Sequence, residues 1–304
     1  NVSIGTYIAF GSYVGMFWQP IMNLSNFYNQ FINAASGAER IFEIIDKKAT
    51  VVSKPDAPLM PQIKGKVDFN KVTFGYTPEV KVLKDVSFSV KEGETIALVG
   101  PTGAGKSTIV NLISRFYDID SGTITIDGKD ITQVQLESLR TQMGIMTQEN
   151  YIFSGTIREN ILYGKLDATE EEMLNAAKAV HADDFIRELE NGYDTKLTAR
   201  GGELSNGQRQ LVAFARTMLS NPAILILDEA TSSIDTKTEL QVQKGIANLL
   251  KGRTSFVIAH RLSTIQNADR IFVIDHEGII ESGTPKELMA KKGEYYKLRQ
   301  AQFA

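Results

Sequence analysis

The sequence contains no cysteine. That excludes disulfide cross-links, thiolate zinc sites and thiol nucleophiles, and it suits work in a reducing compartment. Positive charge is not in excess either: the net charge is −3. Without a basic stripe the chain makes a poor nucleic-acid binder, because such binding rests on neutralising phosphates. Internal repeats and low-complexity tracts are absent. The most local absence is of charge itself. No Lys, Arg, Asp or Glu occurs from Asn1 to Ala38, although such residues make up 23% of the chain, and Glu39 is the first.

Within that uncharged stretch, Ile4 to Met22 is mostly apolar and aromatic. It has about the length that crosses a hydrocarbon core of about 30 Å, and a membrane span is expected there. A secretory signal would open with positive charge and close on a small-residue cleavage site, and neither is present. Ser3, Thr6, Ser12, Gln19 and Asn23 would be costly against lipid but acceptable against other helices, which suggests a bundle member. Pro20 is expected to kink the helix. Beyond it Ile21, Leu24, Phe27, Phe31, Ile32, Ile41, Phe42 and Ile45 keep a helical spacing, and Arg40, Lys47 and Lys48 place that end on the cytoplasmic side. The alternative is a buried helix of a soluble core.

Pro55, Pro58 and Pro61 mark residues 49–65 as an extended linker. From Lys66 onward, short β-rich runs (Val67–Phe69, Val72–Tyr76, Val86–Val90) precede apolar strands that alternate with helical patterns. This is an α/β layout with an antiparallel flank. The strands expected at its centre are Thr95–Val99, Gly144–Met146, Ile224–Leu227, Ser255–Ala259 and Ile271–Ile274, several of them continuous apolar runs as suits strands covered on both faces. Ligands of such sheets bind at the carboxyl ends of the strands, so Gly100, Gln148, Asp228, Glu229 and His260 can converge. Residues 151–219 read as mainly helical, with a capping box at Thr169-Glu170-Glu171-Glu172.

Gly100-Pro101-Thr102-Gly103-Ala104-Gly105-Lys106-Ser107 matches G-x-x-x-x-G-K-[ST], and Thr108–Phe116 continues as a helix. Glycines let successive backbone N–H groups wrap a phosphate, and the helix start adds partial positive charge. Lys106 would neutralise β and γ phosphates, and the Ser107 hydroxyl would bind Mg²⁺. Asp228, at the tip of an apolar strand, can hold the metal directly or through water. Glu229, next to it, can orient or deprotonate the attacking water. An Asp-Glu pair after a strand is by itself more often a cap or a turn, and the glycine loop upstream decides for chemistry.

With Leu204-Ser205-Asn206-Gly207-Gln208 added, the chain resembles the nucleotide-binding half of an ATP-binding cassette (ABC) exporter with its last transmembrane helix attached. That family's signature loop reads Leu-Ser-Gly-Gly-Gln. The resemblance covers nearly the full length and implies a P-loop NTPase (RecA-like) α/β core with an antiparallel β subdomain and an α-helical signature subdomain. A transmembrane-to-cytoplasmic helix precedes them; Ala38-Glu39-Arg40-Ile41-Phe42-Glu43-Ile44 is similar to its cytoplasmic extension. The implied division is 1–48 membrane-domain helix, 49–65 linker and 66–304 nucleotide domain, its helical part at about 149–220.

Residue by residue, the resemblance implies that Tyr76 stacks on adenine, that Gln148 senses Mg²⁺ and water, that Asp235 meets the partner subunit, and that His260 contacts the γ-phosphate. Unaided, Tyr76 reads as packing, Gln148 as an exposed amide, Asp235 as a helix cap and His260 as a strand-end histidine. Gly100, Pro101, Thr102, Gly103, Ala104, Gly105, Lys106, Ser107 and Thr108 would hold ATP from one side. Ser205, Asn206, Gly207 and Gln208 of a second cassette would close on it from the other. The chemistry would fall to Glu229, His260, Gln148 and Lys106, and Mg²⁺ to Ser107, Gln148 and Asp228.

Two departures stand out. Asn206 replaces the first signature glycine, tolerable if the turn there is left-handed. Ala199 occupies the place of a family glutamate that meets the membrane domain. The implied protein is an ATPase in the cell membrane with its nucleotide domain in the cytoplasm. Its partners are lipid, a second half-transporter, identical or dissimilar, and a transported small molecule, lipid or peptide, with no nucleic acid. The remaining membrane helices would lie elsewhere in the protein. The rival reading is a soluble ABC-type ATPase acting as a clamp on nucleic acid or ribosome. An ATP-binding but inactive partner is disfavoured by Glu229 and His260.

Overall fold

Neighbouring residues on the central strands go to opposite cores, which is why those strands read as unbroken apolar runs. Ile96 and Leu98 face one core while Ala97 and Val99 face the other. Ile224 and Ile226 divide in the same way from Leu225 and Leu227, and Phe256 and Ile258 from Val257. The computed structural model describes residues 2–147, 151–228, 236–259, 262–275 and 277–303, and its two compact units are Asn1–Thr50 and Val51–Ala304.

The first unit is one helix, α1 (Ile4–Ile45), capped by Ser3, whose hydroxyl accepts from Thr6 N. It runs on through Pro20, and its described residues are all exposed. Among the described residues no helix is long and apolar enough to cross a membrane. At 42 residues α1 has the length; the Gly, Ser, Thr, Gln and Asn interleaved with its apolar side chains dilute the hydropathy.

In the second unit the elements are β1 (Val67–Phe74), β2 (Leu83–Val90), β3 (Thr95–Val99), α2 (Lys106–Ile113), β4 (Ser121–Ile126), β5 (Lys129–Asp130), α3 (Leu136–Arg140) and β6 (Met143–Met146). There follow β7 (Gly155–Thr156), α4 (Ile157–Leu162), α5 (Glu170–Ala179), α6 (Ala182–Ile186), β8 (Lys196–Leu197), α7 (Asn206–Ser220), β9 (Ile224–Asp228) and α8 (Thr236–Leu250). The chain closes with β10 (Thr254–Ile258), α9 (Leu262–Gln266), β11 (Arg270–Asp275), β12 (Gly278–Gly283), α10 (Pro285–Lys291) and α11 (Glu294–Phe303).

The main sheet has the order β12-β11-β3-β10-β9-β6, parallel except for β12 at one edge, which pairs antiparallel with β11. A second, antiparallel sheet has the order β2-β1-β4-β5, and α2 is packed into the core that it shares with the main sheet. On the other face lies a layer of helices, with α7 in contact with α4, α5, α6 and α8. The two runs expected at Val67–Phe69 and Val72–Tyr76 are one strand with a register shift between Phe69 and Val72. The helix expected over Thr108–Phe116 starts two residues earlier and ends at Ile113.

Residues 51–66 form neither helix nor strand, turn once at Pro55–Asp56, and are hydrogen-bonded to α3, to the turn after it and to the β4–β5 turn. Met60 N and Ile63 N donate to Ser138 Oγ and Gln142 Oε1, both at 2.8 Å. Lys64, Gly65 and Lys66 donate their N–H groups to the Asp127 carboxylate. The capping box at Thr169 and Glu172 is present.

The helical layer is tied to the loop ahead of α4 by a saturated amide. Asn160, buried, donates to Phe153 O and Thr156 O, and its Oδ1 accepts from Phe153 N and from Arg216 Nη2. All four positions of the amide are used, and burial holds the Arg216 guanidinium below its ordinary pKa. Asn160→Ala strands these groups, so it is expected to cost about 2–3 kcal/mol, read as a lower urea midpoint at unchanged slope.

Candidate functional site

The glycine loop between β3 and α2 has a backbone that side chains would break. Gly100, Gly103 and Gly105 have φ of +150°, +83° and +104°. A Cβ on Gly100 would lie 2.1 Å from the Ile274 carbonyl oxygen, so the loop is pressed against the end of β11. Gly105 is the N-cap of α2 with no side-chain cap bond. The first intrahelical bond is Ile109 N to Gly105 O at 3.1 Å, which leaves the N–H groups of Lys106, Ser107 and Thr108 pointing out of the helix start without an acceptor in it. Dipole and donors together make this end an anion cradle.

Lys106 folds over that cradle, its Nζ donating to Gly100 O and Pro101 O at 2.8 Å each. Burial lowers its pKa, and the charge of Asp228 pulls it back up. Asp228 is therefore within electrostatic reach of Lys106, and its half-buried side chain at the end of β9 has a partner of its own. Ser107 is exposed, and Thr108 is buried.

Tyr76 is 50% exposed beside the same cradle, and its hydroxyl lies 3.2 Å from Thr108 Oγ1. Its ring meets Phe74 and Tyr117 edge-on, at 5.0 and 5.1 Å between centroids. Asp120 holds the turn, accepting from Gly75 N at 2.9 Å and from Lys81 Nζ at 3.0 Å. Sequence reading did not single out Asp120 or Tyr117; an acid and an aromatic close behind the glycine-loop helix were the available signal.

Gln148, Glu229, Asp235 and His260 lie outside the described residues. The strands that lead into three of them end side by side: Ile258 pairs with both Leu98 and Asp228, and Leu227 with Met146. Among the described residues no group of three or more His, Cys, Asp or Glu could hold a metal. The Ser107 hydroxyl and the Asp228 carboxylate are the hard oxygen donors that could hold a divalent cation here together with ligand oxygens, a set that suits Mg²⁺.

The second donor cluster begins α7. Ser205 caps the helix in a reciprocal box: Gln208 N donates to Ser205 Oγ at 3.3 Å, and Ser205 N to Gln208 Oε1 at 2.9 Å. The N–H groups of Asn206 and Gly207 remain without intrahelical acceptors. Asn206 lies inside α7 with no positive φ, so the left-handed turn expected at this position is not there, and helical backbone accepts asparagine directly. Its Oδ1 accepts from Arg209, which also donates to Gly201 O and Leu204 O. Ala199 is exposed, and the acid of this loop is Glu203, whose carboxylate accepts from Thr198 N. Hydrogen bonds from its own N–H and from Thr198 hold its pKa below the usual range. Among the described residues no hydrogen bond or ion pair joins Ser205–Gln208 to the glycine loop, which belongs to the opposite face of the sheet.

The sequence profile of the ABC transporter family matches residues 83–232. The chain is 51% identical over 304 residues, all of its length, to half of the uncharacterized ABC transporter ATP-binding protein YknV of Bacillus subtilis. It is 46% identical over 299 residues to the ATP-dependent lipid A-core flippase of Syntrophus aciditrophicus, covering 98% of this chain and 50% of the flippase. A solved bacterial Atm1-family ABC exporter with ATP bound superposes with a TM-score of 0.81 at 39% identity, over 99% of this chain and 53% of that one. The chain thus spans about half the length of the curated relatives it matches.

The glycine loop predicts a contrast between two alanines. At Gly103 a Cβ meets nothing, so Gly103→Ala is expected to cost only the backbone strain, about 1–2 kcal/mol. Gly100→Ala must also push the loop off β11, and its unfolding midpoint in a thermal scan is expected to fall well below that of Gly103→Ala.

Proposed function

Because this chain belongs to the ABC transporter family, we propose that it is the ATP-hydrolysing half of an exporter protomer. Two such cassettes, identical or dissimilar, close head to tail with ATP and Mg²⁺ between them. The observation that carries this reading is a pair of donor-rich anion cradles, one at Gly100–Thr108 and one at Ser205–Gln208, on different layers of one chain. Each of two ATP molecules is held by the loop of one cassette and capped by the helix start of the other.

In this reading the loop amides and the Lys106 ammonium, moved from the carbonyls of Gly100 and Pro101, bind the β and γ phosphates. Tyr76 offers its exposed ring to adenine. When bound, Mg²⁺ offsets charge on the phosphate oxygens. Glu229 orients the attacking water and takes its proton; the water oxygen bonds to the γ phosphorus as the bond to the β–γ bridging oxygen breaks, giving ADP and phosphate. His260 and Gln148 face the γ phosphate and the water.

The exposed apolar side chains of α1 fit a place among further helices of a longer membrane protein, with this nucleotide domain in the cytoplasm. Closure of the cassettes turns those helices, and hydrolysis resets them. The flippase likeness favours a lipid or other amphiphile as cargo.

In the full-length protein Glu229→Gln is expected to bind ATP as before and to hydrolyse it about 10²–10⁴ times more slowly. Undiminished turnover overturns the assigned base. Tyr76→Ala is expected to weaken ATP binding by about 1–3 kcal/mol, the scale of one base–aromatic stack, while Tyr76→Phe stays close to the parent in a fluorescent-nucleotide titration. Equal losses in the two variants would count against stacking.

A further inference from the structure

At the far end of α2 from the glycine loop, Arg115 occupies a position that the backbone would rather give to glycine. Arg115 N donates to Leu112 O at 3.0 Å and Phe116 N to Asn111 O at 2.9 Å, the paired bonds that close a helix through a left-handed residue. Arg115 has the matching φ of +50°, a backbone conformation that strains any residue with a Cβ.

The side chain shows what is obtained in return. It is 4% exposed and ion-paired to Asp118 at 3.0 Å, and its other nitrogens donate to Ile131 O at 3.1 Å and Val52 O at 3.2 Å. Three stretches of chain, 52, 115–118 and 131, meet on one guanidinium, whose planar fork of donors no other side chain supplies.

Val52 lies near the start of the segment that follows α1 in the sequence. Next to it, Ser53 Oγ accepts from Leu136 N at the start of α3, and Gln135 N donates to Pro58 O, both at 2.9 Å. From the other side Arg140 of α3 donates to Ser114 O and Arg115 O, the last carbonyls around the end of α2, at 3.1 and 2.6 Å. Its guanidinium lies 5.0 Å above the Phe116 ring. Segment 52–66, α3 and the end of α2 are therefore one hydrogen-bonded cluster, and Arg115 is the member that joins the segment to α2 directly.

We propose that Arg115 is a positioning residue that couples the segment after α1 to the nucleotide helix. A helix of eight residues is a stiff rod of about 12 Å, so a shift imposed at Val52 moves Lys106–Thr108, and nucleotide arriving at Lys106–Thr108 moves Val52. The inference rests on the proposed function, in that Lys106–Thr108 must be the end of α2 that receives ATP.

The test uses the full-length protein in lipid nanodiscs, with hydrogen exchange followed by mass spectrometry with and without ATP. Arg115→Gly relieves the left-handed backbone, so it keeps the helix ending while removing the guanidinium. Asp118→Ala is the companion, removing the ion pair but leaving the bond to Val52. In the parent, and in Asp118→Ala, ATP is expected to slow exchange both at the glycine loop and across residues 52–66. In Arg115→Gly the glycine loop still responds to ATP, KM for ATP stays within twofold, kcat falls at least fivefold, and the response at residues 52–66 is lost. The proposal is overturned if residues 52–66 respond to ATP in Arg115→Gly as in the parent, if they do not respond in the parent, or if Asp118→Ala loses the response equally. An unresponsive glycine loop in the parent would instead sink the reading of that loop as the ATP site.

Discussion

Backbone N–H groups at the start of α2 that have no acceptor in their own helix are the constraint around which the nucleotide unit is arranged. Presenting them needs three glycines with positive φ, a strand end pressed to within contact of the loop at Ile274, and a core on each side of the sheet to hold the strands that carry the loop. The half-buried Lys106 adds a cation that donates to two loop carbonyls and lies within electrostatic reach of Asp228. The start of α7 repeats the logic on the other layer, with Ser205 and Gln208 satisfying each other and leaving the next amides outward. In the proposed function a second cassette uses both cradles, one from each chain.

What the sequence made legible follows from the same physics. Strands β3, β9, β10 and β11 were readable because both faces of each are buried, and the glycine loop because its spacing has few other uses. Strand β12 was not readable: it lies at the edge of the sheet, half exposed, with Glu281 and Ser282 in its middle. The turn that carries Tyr76 depends on Asp120, 45 residues further along. The three prolines of segment 49–65 suggest a loose connection, whereas Gln142 and Asp127, more than 60 residues away, bind its backbone.

Polar residues and glycines are mixed through the apolar stretch Ile4–Met22, and no described helix is long and apolar enough to cross a membrane. That mixture suits contact with other helices more than contact with lipid. Asn206, expected in a left-handed turn, is the first residue of α7. Its amide is engaged by Arg209, so the departure from the family's glycine adds a tie to the Gly201–Leu204 stretch rather than a strain.

The claim on which this account stands is that one chain carries two unlike halves of an ATP site and completes neither alone. It is tested most directly by measuring ATP hydrolysis per chain in the full-length protein, with any mate that co-purifies, as detergent-solubilised samples are diluted and their mass is followed by light scattering. The account predicts that the rate per chain falls with the fraction of dimer, and that Ser205→Arg abolishes it while ATP affinity is kept. A monomeric sample that hydrolyses ATP at the undiluted rate per chain, indifferent to Ser205→Arg, would contradict it.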